Sequence, residues 1–402
     1  MKNSPLIAAL RIPSFFFLVV SEFFSQFAMN LLNFILLILA FQLSSSNLAV
    51  AGVVLAFTLP SVFFGIVAGV YVDKWNKKNV LVYTNILRAM AVFPLIYFSE
   101  VLGLVYLLTF LVSLITQFFV PAETPIIPHL VPRKLLISAN AIFSMGIYGS
   151  IIVAYALSGP LLLLLGQIRV FVFITILFSI SAVFAYLIKL KYKEHLRKKE
   201  IHIFKEIKGA LLVVRRNKNV YHSLILLVLL QTLILVIAVI GPGYATHILN
   251  IQVEKFPVLF VTPAVIGMAA GAILIGNFLH DKNKTVLTKV GLLVIGIIFI
   301  LFVNFTRFVS YDPVGIMIPL AVIVGFAFAF VFIPSNTIIQ EETTDEQRGK
   351  IYGSLNNLVG IVSLIPVLGV GVLADKVGVA TVVTLIGVGI LIFAVIRIFK
   401  FK

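Results

Sequence analysis

No cysteine occurs among the 402 residues, so neither a disulfide framework nor a thiolate metal site can be built. Charge is scarce as well. Only 11% of the residues are Asp, Glu, Lys or Arg, against about 25% in a soluble domain, and a chain of this composition would precipitate from water. The six histidines (His129, His195, His202, His222, His247 and His280) form no ligand-spaced pair, so no metal centre is expected. The phosphate-loop pattern Gly-x-x-x-x-Gly-Lys-Ser/Thr is missing, which removes ATP as the expected driver of any work. Clustered His, Asp or Glu of the kind an enzyme needs are missing too, and no cofactor is implied.

What the chain has is apolar length. Hydrophobic residues make up 61% of it and the mean hydropathy is +1.15. A bilayer core needs about 20 apolar residues per helical crossing. Such runs lie at 13–41, 48–72, 79–99, 102–124, 137–165, 168–190, 220–247, 256–279, 286–306, 313–340, 350–374 and 377–398. The first is too long for the apolar part of a signal peptide and has no small-residue cleavage site, so it reads as a retained helix. The net charge of +16 would suggest nucleic acid in a soluble protein; here its placement decides. If the termini and even-numbered connections face the cytoplasm, 26 of the 31 Lys and Arg lie there. Arg169, Lys255, Arg307 and Lys376 face outward, and Arg88 lies inside a span. This bias predicts twelve spans with both termini cytoplasmic, in a cell (inner) membrane, and no nucleic-acid partner.

The one long polar connection, Lys189 to Asn219, divides the spans six and six. The expected organisation is an N-terminal bundle over 1–190, a cytoplasmic linker over 191–219 and a C-terminal bundle over 220–402. Within the linker, Ile203–Arg216 is either a basic amphipathic helix on the anionic leaflet or a charged linker that fixes topology. The halves also look related. Pro121-Ala122-Glu123-Thr124 after the fourth span and Pro334-Ser335-Asn336-Thr337 after the tenth occupy the same topological place. Repeats of this kind put a substrate site near the midplane between the halves.

Between the second and third spans the chain reads Gly69-x-x-x-Asp73-Lys74-x-Asn76-Lys77-Lys78. This resembles the loop 2–3 signature of the major facilitator superfamily, with Asn76 at the second glycine. Asparagine tolerates left-handed backbone, so that departure is expected to be mild. Further blocks resemble the branch that includes macrolide-efflux and enterobactin-exporter proteins: Phe119-Val120-Pro121-Ala122, Ile127-Pro128-His129-Leu130-Val131-Pro132, Ala139-Asn140-Ala141, Arg88 and Gln340…Arg348-Gly349-Lys350. The resemblance covers essentially the whole chain. It implies an all-α integral membrane fold of twelve helices in two pseudo-symmetric six-helix bundles, working by alternating access. Ser158-Gly159-Pro160 resembles the core of an antiporter motif, although Leu161 and Leu162 replace the glycines expected after it; Gly159-Pro160 can also simply kink the helix.

A charge near the bilayer centre needs a reason. Glu22 lies about ten residues into the first span, close to the midplane by a rise of about 1.5 Å per residue. With Gln26, Asn30 and Asn33 it forms a polar stripe at helical spacing, and Ser25 lies beside it. Glu22 is the candidate proton carrier, or else a structural partner neutralised by Arg88, which lies at a matching depth. Glu123, taken to lie at the inner end of the fourth helix, is a further charge partner for Lys78, Arg88 or Arg133. Candidate cavity residues are Gln26, Asn30, Asn33, Ser113, Thr116, Gln117, Ser144, Tyr148, Gln231 and Asn336, although isolated polar residues in membrane helices also bond simply to their neighbours.

The loop 2–3 residues have a conformational role in this reading. Gly69 lets the second helix approach a helix of the other half, and Asp73 caps the N-terminus of the eleventh near Arg348. Lys74, Lys77 and Lys78 hold the loop in the cytoplasm and balance the acid. The acids Glu341, Glu342, Asp345 and Glu346 should attract the same lysines. The expected function is proton-coupled efflux of a lipophilic or amphipathic small molecule by a monomer in contact with membrane lipid. Alternatives are an uptake or lipid carrier on the same fold, or a membrane sensor or enzyme.

Overall fold

The computed structural model describes residues 5–190, 217–279, 281–308 and 313–400. Among them the chain is helical with no strand. That is what lipid demands: with no water to satisfy them, backbone polar groups must bond within the segment. A short helix α1 (Pro5–Leu10) precedes α2 (Pro13–Ser44), α3 (Asn47–Lys74) and α4 (Lys77–Val92). After a break at Phe93-Pro94 come α5 (Leu95–Phe98), α6 (Leu102–Leu130) and α7 (Leu136–Leu187). The second part comprises α8 (Lys218–His247), α9 (Thr262–Phe278), α10 (Lys284–Phe308), α11 (Pro313–Glu341), α12 (Asp345–Val377) and α13 (Val379–Lys400). The long helix α7 has 52 residues and is interrupted at Gly166, whose φ is 74°. Only glycine adopts that conformation cheaply. The break divides α7 into two membrane-length pieces, so among the described residues the eleven long apolar helices supply twelve candidate spans.

Two local differences from the sequence reading matter. Helix α6 runs to Leu130, past Pro121, Pro125 and Pro128. The prolines recur at i, i+4 and i+7, so the lost N–H groups share one face and the rest of the ladder continues. Glu123 therefore sits two turns inside the helix rather than at its end. Secondly, Asn76 is not left-handed. Its φ is −68°, and its side chain accepts from Asn79 N (3.1 Å) as the N-cap of α4.

Contacts divide the chain into two compact units, Met1–Leu39 with Ala56–Ile201 and Ala40–Leu55 with His202–Lys402. In the first, α4 packs on α6 and α7. Reciprocal bonds from Ser21 Oγ to Ser181 O (2.9 Å) and from Ser181 Oγ to Ser21 O (2.7 Å) join α2 to the second half of α7. In the second unit, α9 and α11 cross in backbone contact: a Cβ at Gly267 would run into the Val322 carbonyl, and one at Gly325 into that of Ala264. Small residues allow such an approach where hydrophobic burial offers little drive between helices. Tyr244 closes this core by donating to Phe302 O (2.8 Å) among Phe256, Phe260 and Phe302.

Candidate functional site

Three helices of the first unit bring their ionisable residues to one place. Glu22 on α2, Arg88 on α4 and Glu123 on α6 are 1%, 1% and 6% exposed. Arg88 donates from Nη1 to Ser25 Oγ (2.8 Å), which donates to Asn85 Oδ1 (3.0 Å); Asn85 Nδ2 in turn bonds Leu81 O (2.9 Å). This chain of bonds fixes the guanidinium. Its faces are covered by Phe119 and Phe178, with ring centroids 4.1 and 5.7 Å away. Such contacts attract a cation through the ring quadrupole, more strongly where water is excluded.

The two carboxyl groups are neighbours. Glu22 and Glu123 interact directly, and Gln26 Nε2 donates to Glu22 Oε1 (2.8 Å). An ionised carboxylate only accepts, so two neighbouring carboxyls can bond each other only when one carries a proton. With one proton the triad carries one carboxylate and one guanidinium and is neutral. Without it, the triad carries a net negative charge in an apolar interior. Arg88 Nε and Nη2 and Glu123 Oε2 are buried with no hydrogen-bond partner, which leaves donors and an acceptor available around the pair. Arg88 acts on both carboxyls electrostatically rather than as a bidentate clasp on one.

The other sequence candidates separate into groups. Asn30 Nδ2 donates to Gln26 O (2.8 Å), and Tyr155 donates to Asn30 Oδ1 (3.4 Å), so the α2 stripe is a connected chain leading from Glu22 to α7. Asn33 lies further along it with a buried, unbonded Oδ1. Ser113 bonds Phe57 O across to α3 (2.6 Å). Thr116, Gln117 and Asn336 turn back onto their own helices, at Val112 O, Ser113 O and Phe332 O. Ser144 and Tyr148 are exposed on α7, and Gln231 is half-buried on α8. Gly159 is buried and Pro160 half-buried within unbroken helix, so the turn in α7 is at Gly166 instead.

At loop 2–3, a Cβ on Gly69 would meet nothing within 4 Å. Asp73 and Lys74 are exposed, and Lys78 Nζ lies 5.0 Å from the centroid of the Tyr186 ring. Asp73 accepts no hydrogen bond from another described residue. The side chains of Asp345, Glu346 and Arg348, and the segment Ile203–Arg216, lie outside what the structure describes. Glu341 pairs with Lys284, and Glu342 accepts from Asn219 Nδ2 (2.8 Å), so two of the acids are engaged within their own unit.

The family model of the Major Facilitator Superfamily matches residues 18–366. The chain belongs to that superfamily. It is 24% identical over 366 residues to YfiS, an uncharacterized MFS-type transporter of Bacillus subtilis, covering 85% of this chain and 82% of that one. It is 20% identical over 327 residues to macrolide efflux protein A of Streptococcus pyogenes, covering 79% and 78%. Among solved structures, the nucleoside transporter NupG is similar with a TM-score of 0.77 at 14% identity, over 97% of this chain and 100% of that one. A bacterial homologue of the human lysosomal transporter Spinster gives 0.75 at 14%, over 96% and 95%. At such identity the structural likeness speaks for the fold. The protein is a multi-pass membrane transporter of the major facilitator type, and not an enzyme.

Asn85 and Phe178 belong to the site but were not singled out from sequence. Asn85 had a signal, a second polar residue three positions before Arg88 in an apolar run. Phe178 had none among 36 phenylalanines.

Proposed function

We propose that this transporter exports a lipophilic or amphipathic small molecule in exchange for protons, and that the Glu22–Glu123 pair beside Arg88 carries the proton. One observation carries the reading: two buried, mutually interacting carboxyls beside a buried cation with unbonded N–H groups. Adding or removing one proton there changes the triad between neutral and negative, and a low-dielectric interior makes that change energetically large. The stripe Gln26–Asn30–Asn33 leads from the pair along α2 and, with Ser113, Tyr148, Gln231 and Asn336, supplies polar groups for a bound cargo. The efflux relatives support the outward direction, and the antiporter-like Ser158-Gly159-Pro160 supports exchange.

In this reading the halves 1–190 and 220–402, joined by 191–219, alternate access in the cell membrane with both termini in the cytoplasm. Gly69, Asp73 and Arg348 engage as a latch in the state closed on the cytoplasmic side. The protein works as a monomer, contacting lipid and needing no cofactor.

Inverted vesicles with an imposed proton gradient and a panel of dyes and amphiphiles test the reading. Gradient-driven accumulation is expected for the intact chain and is lost in Glu22→Gln and in Glu123→Gln. Undiminished coupling in both variants removes the pair as the carrier.

A further inference from the structure

The most heavily bonded carboxylate among the described residues is Asp375, near the end of α12. Its Oδ1 accepts from Asn47 N (2.7 Å) and Asn47 Nδ2 (2.9 Å), and its Oδ2 accepts from Ser46 Oγ (2.5 Å) and Leu48 N (3.1 Å). Asn47 and Leu48 open α3, and Ser46 immediately precedes it; the helix has no acid of its own in its first turn. An acid borrowed from a distant part of the chain thus caps α3 and meets its positive dipole end. One turn back, Gly371 lets the helices touch. A Cβ there would lie 3.0 Å from Leu48 Cα and Ala51 Cβ and 3.1 Å from Asn47 O. Asn47 is itself held over Gly243 of α8, where a Cβ would collide with its side chain.

The sequence repeats itself here. Gly371-x-x-x-Asp375-Lys376-x-Gly378 has the spacing of Gly69-x-x-x-Asp73-Lys74-x-Asn76, and each copy ends a helix. The two copies serve opposite ends of α3: Asp73 lies at its C-terminal end, exposed, while Asp375 is bonded to its N-terminal end. Helix α3 is also the element divided between the compact units, with Asn47–Leu55 in one and Ala56 onward in the other.

We propose that Asp375 and Gly371 form a second, outer-side clasp on α3, and that Asp375 is a positioning residue for transport. Engaged, it holds the outer ends of α3 and α12 together. Opening that face requires its four bonds to break. The inference rests on the alternating-access reading and on the orientation given with it, but not on proton coupling or the identity of the cargo.

The absence of native cysteine makes the test clean. Val54→Cys, at a position 2% exposed and two turns into α3, reports opening of the face to a membrane-impermeant maleimide. Ala329→Cys, at a position 0% exposed in the core of the second unit, reports general loosening. In the intact protein in vesicles both should label slowly. Asp375→Asn should speed labelling at Val54→Cys by about tenfold, the ratio expected for the loss of charge-assisted bonds, and leave Ala329→Cys unchanged. Gly371→Leu, which pushes the helices apart and leaves the carboxylate in place, should do the same, and Asp375→Glu should restore part of the protection. An unchanged rate at Val54→Cys in both variants overturns the clasp. Acceleration at both reporter positions overturns it as well, because Asp375 would then be a general stabiliser. No cargo is needed for this readout, so failure of dye transport and failure of the clasp are separate results.

Discussion

Arg88 shows how costly and how well supported a single membrane-buried charge can be. One N–H group goes to Ser25, the Phe119 and Phe178 rings lie near the guanidinium, and Nε and Nη2 are buried without a hydrogen-bond partner. Removing one partner of a buried charged set is destabilising by about 3–5 kcal/mol, because the other charge is left uncompensated. Arg88→Gln should therefore lower the thermal unfolding midpoint in detergent markedly. Adding Glu123→Gln to that variant should recover part of the loss, a coupling that a double-mutant cycle measures. Ser25→Ala removes the acceptor of one Arg88 bond and the donor to Asn85 Oδ1 but leaves the charges in place, and should destabilise by about 1–3 kcal/mol. If Ser25→Ala costs as much as Arg88→Gln, the network rather than the charge dominates.

At the scale of elements, α7 and the α9–α11 pair depend on glycine for different reasons. Gly166 has a backbone conformation that side chains resist, although a Cβ there would meet open space. Gly166→Ala should therefore cost about 1 kcal/mol through backbone strain alone, read as a small shift in unfolding midpoint with expression retained. Gly325 has ordinary helical backbone, but its neighbour is the Ala264 carbonyl. Gly325→Leu should force α9 and α11 apart and abolish the monodisperse peak in size-exclusion chromatography. Helix α6 shows the opposite tolerance. Its apolar run reads as bounded at 124, yet the prolines share one face and the helix carries on to Leu130, so that Glu123 lies within the helix, where it interacts with Glu22.

For the whole molecule, the lysine and arginine pattern makes a claim about orientation that contacts do not address. A fluorescent protein fused after Lys402 should fold and fluoresce in cells, whereas a periplasmic phosphatase fused there should stay inactive; an active phosphatase would reverse the assignment. The two Gly-x-x-x-Asp-Lys copies give this scale its mechanical content: one carboxylate is bonded at one end of α3 while the other is exposed at the opposite end.

Much of the architecture was legible in the residues. Apolar run length set the spans to within a few residues, because the bilayer fixes how far a helix must reach. The charged loop residues set the count, and the loop 2–3 signature pointed to the superfamily. Glu22 and Arg88 stood out because each is a charge in an apolar run. What depended on tertiary structure was pairing. Periodicity places a residue on a face but does not say which other helix that face meets, so Glu123 became a carboxyl partner of Glu22 rather than an end-of-helix brace. Asp375 likewise became the cap of a helix more than three hundred residues earlier in the chain. Hydropathy, length and charge act along the chain and can be summed from sequence. Hydrogen bonds between helices depend on a few tenths of an ångström of packing, and only the folded protein decides them.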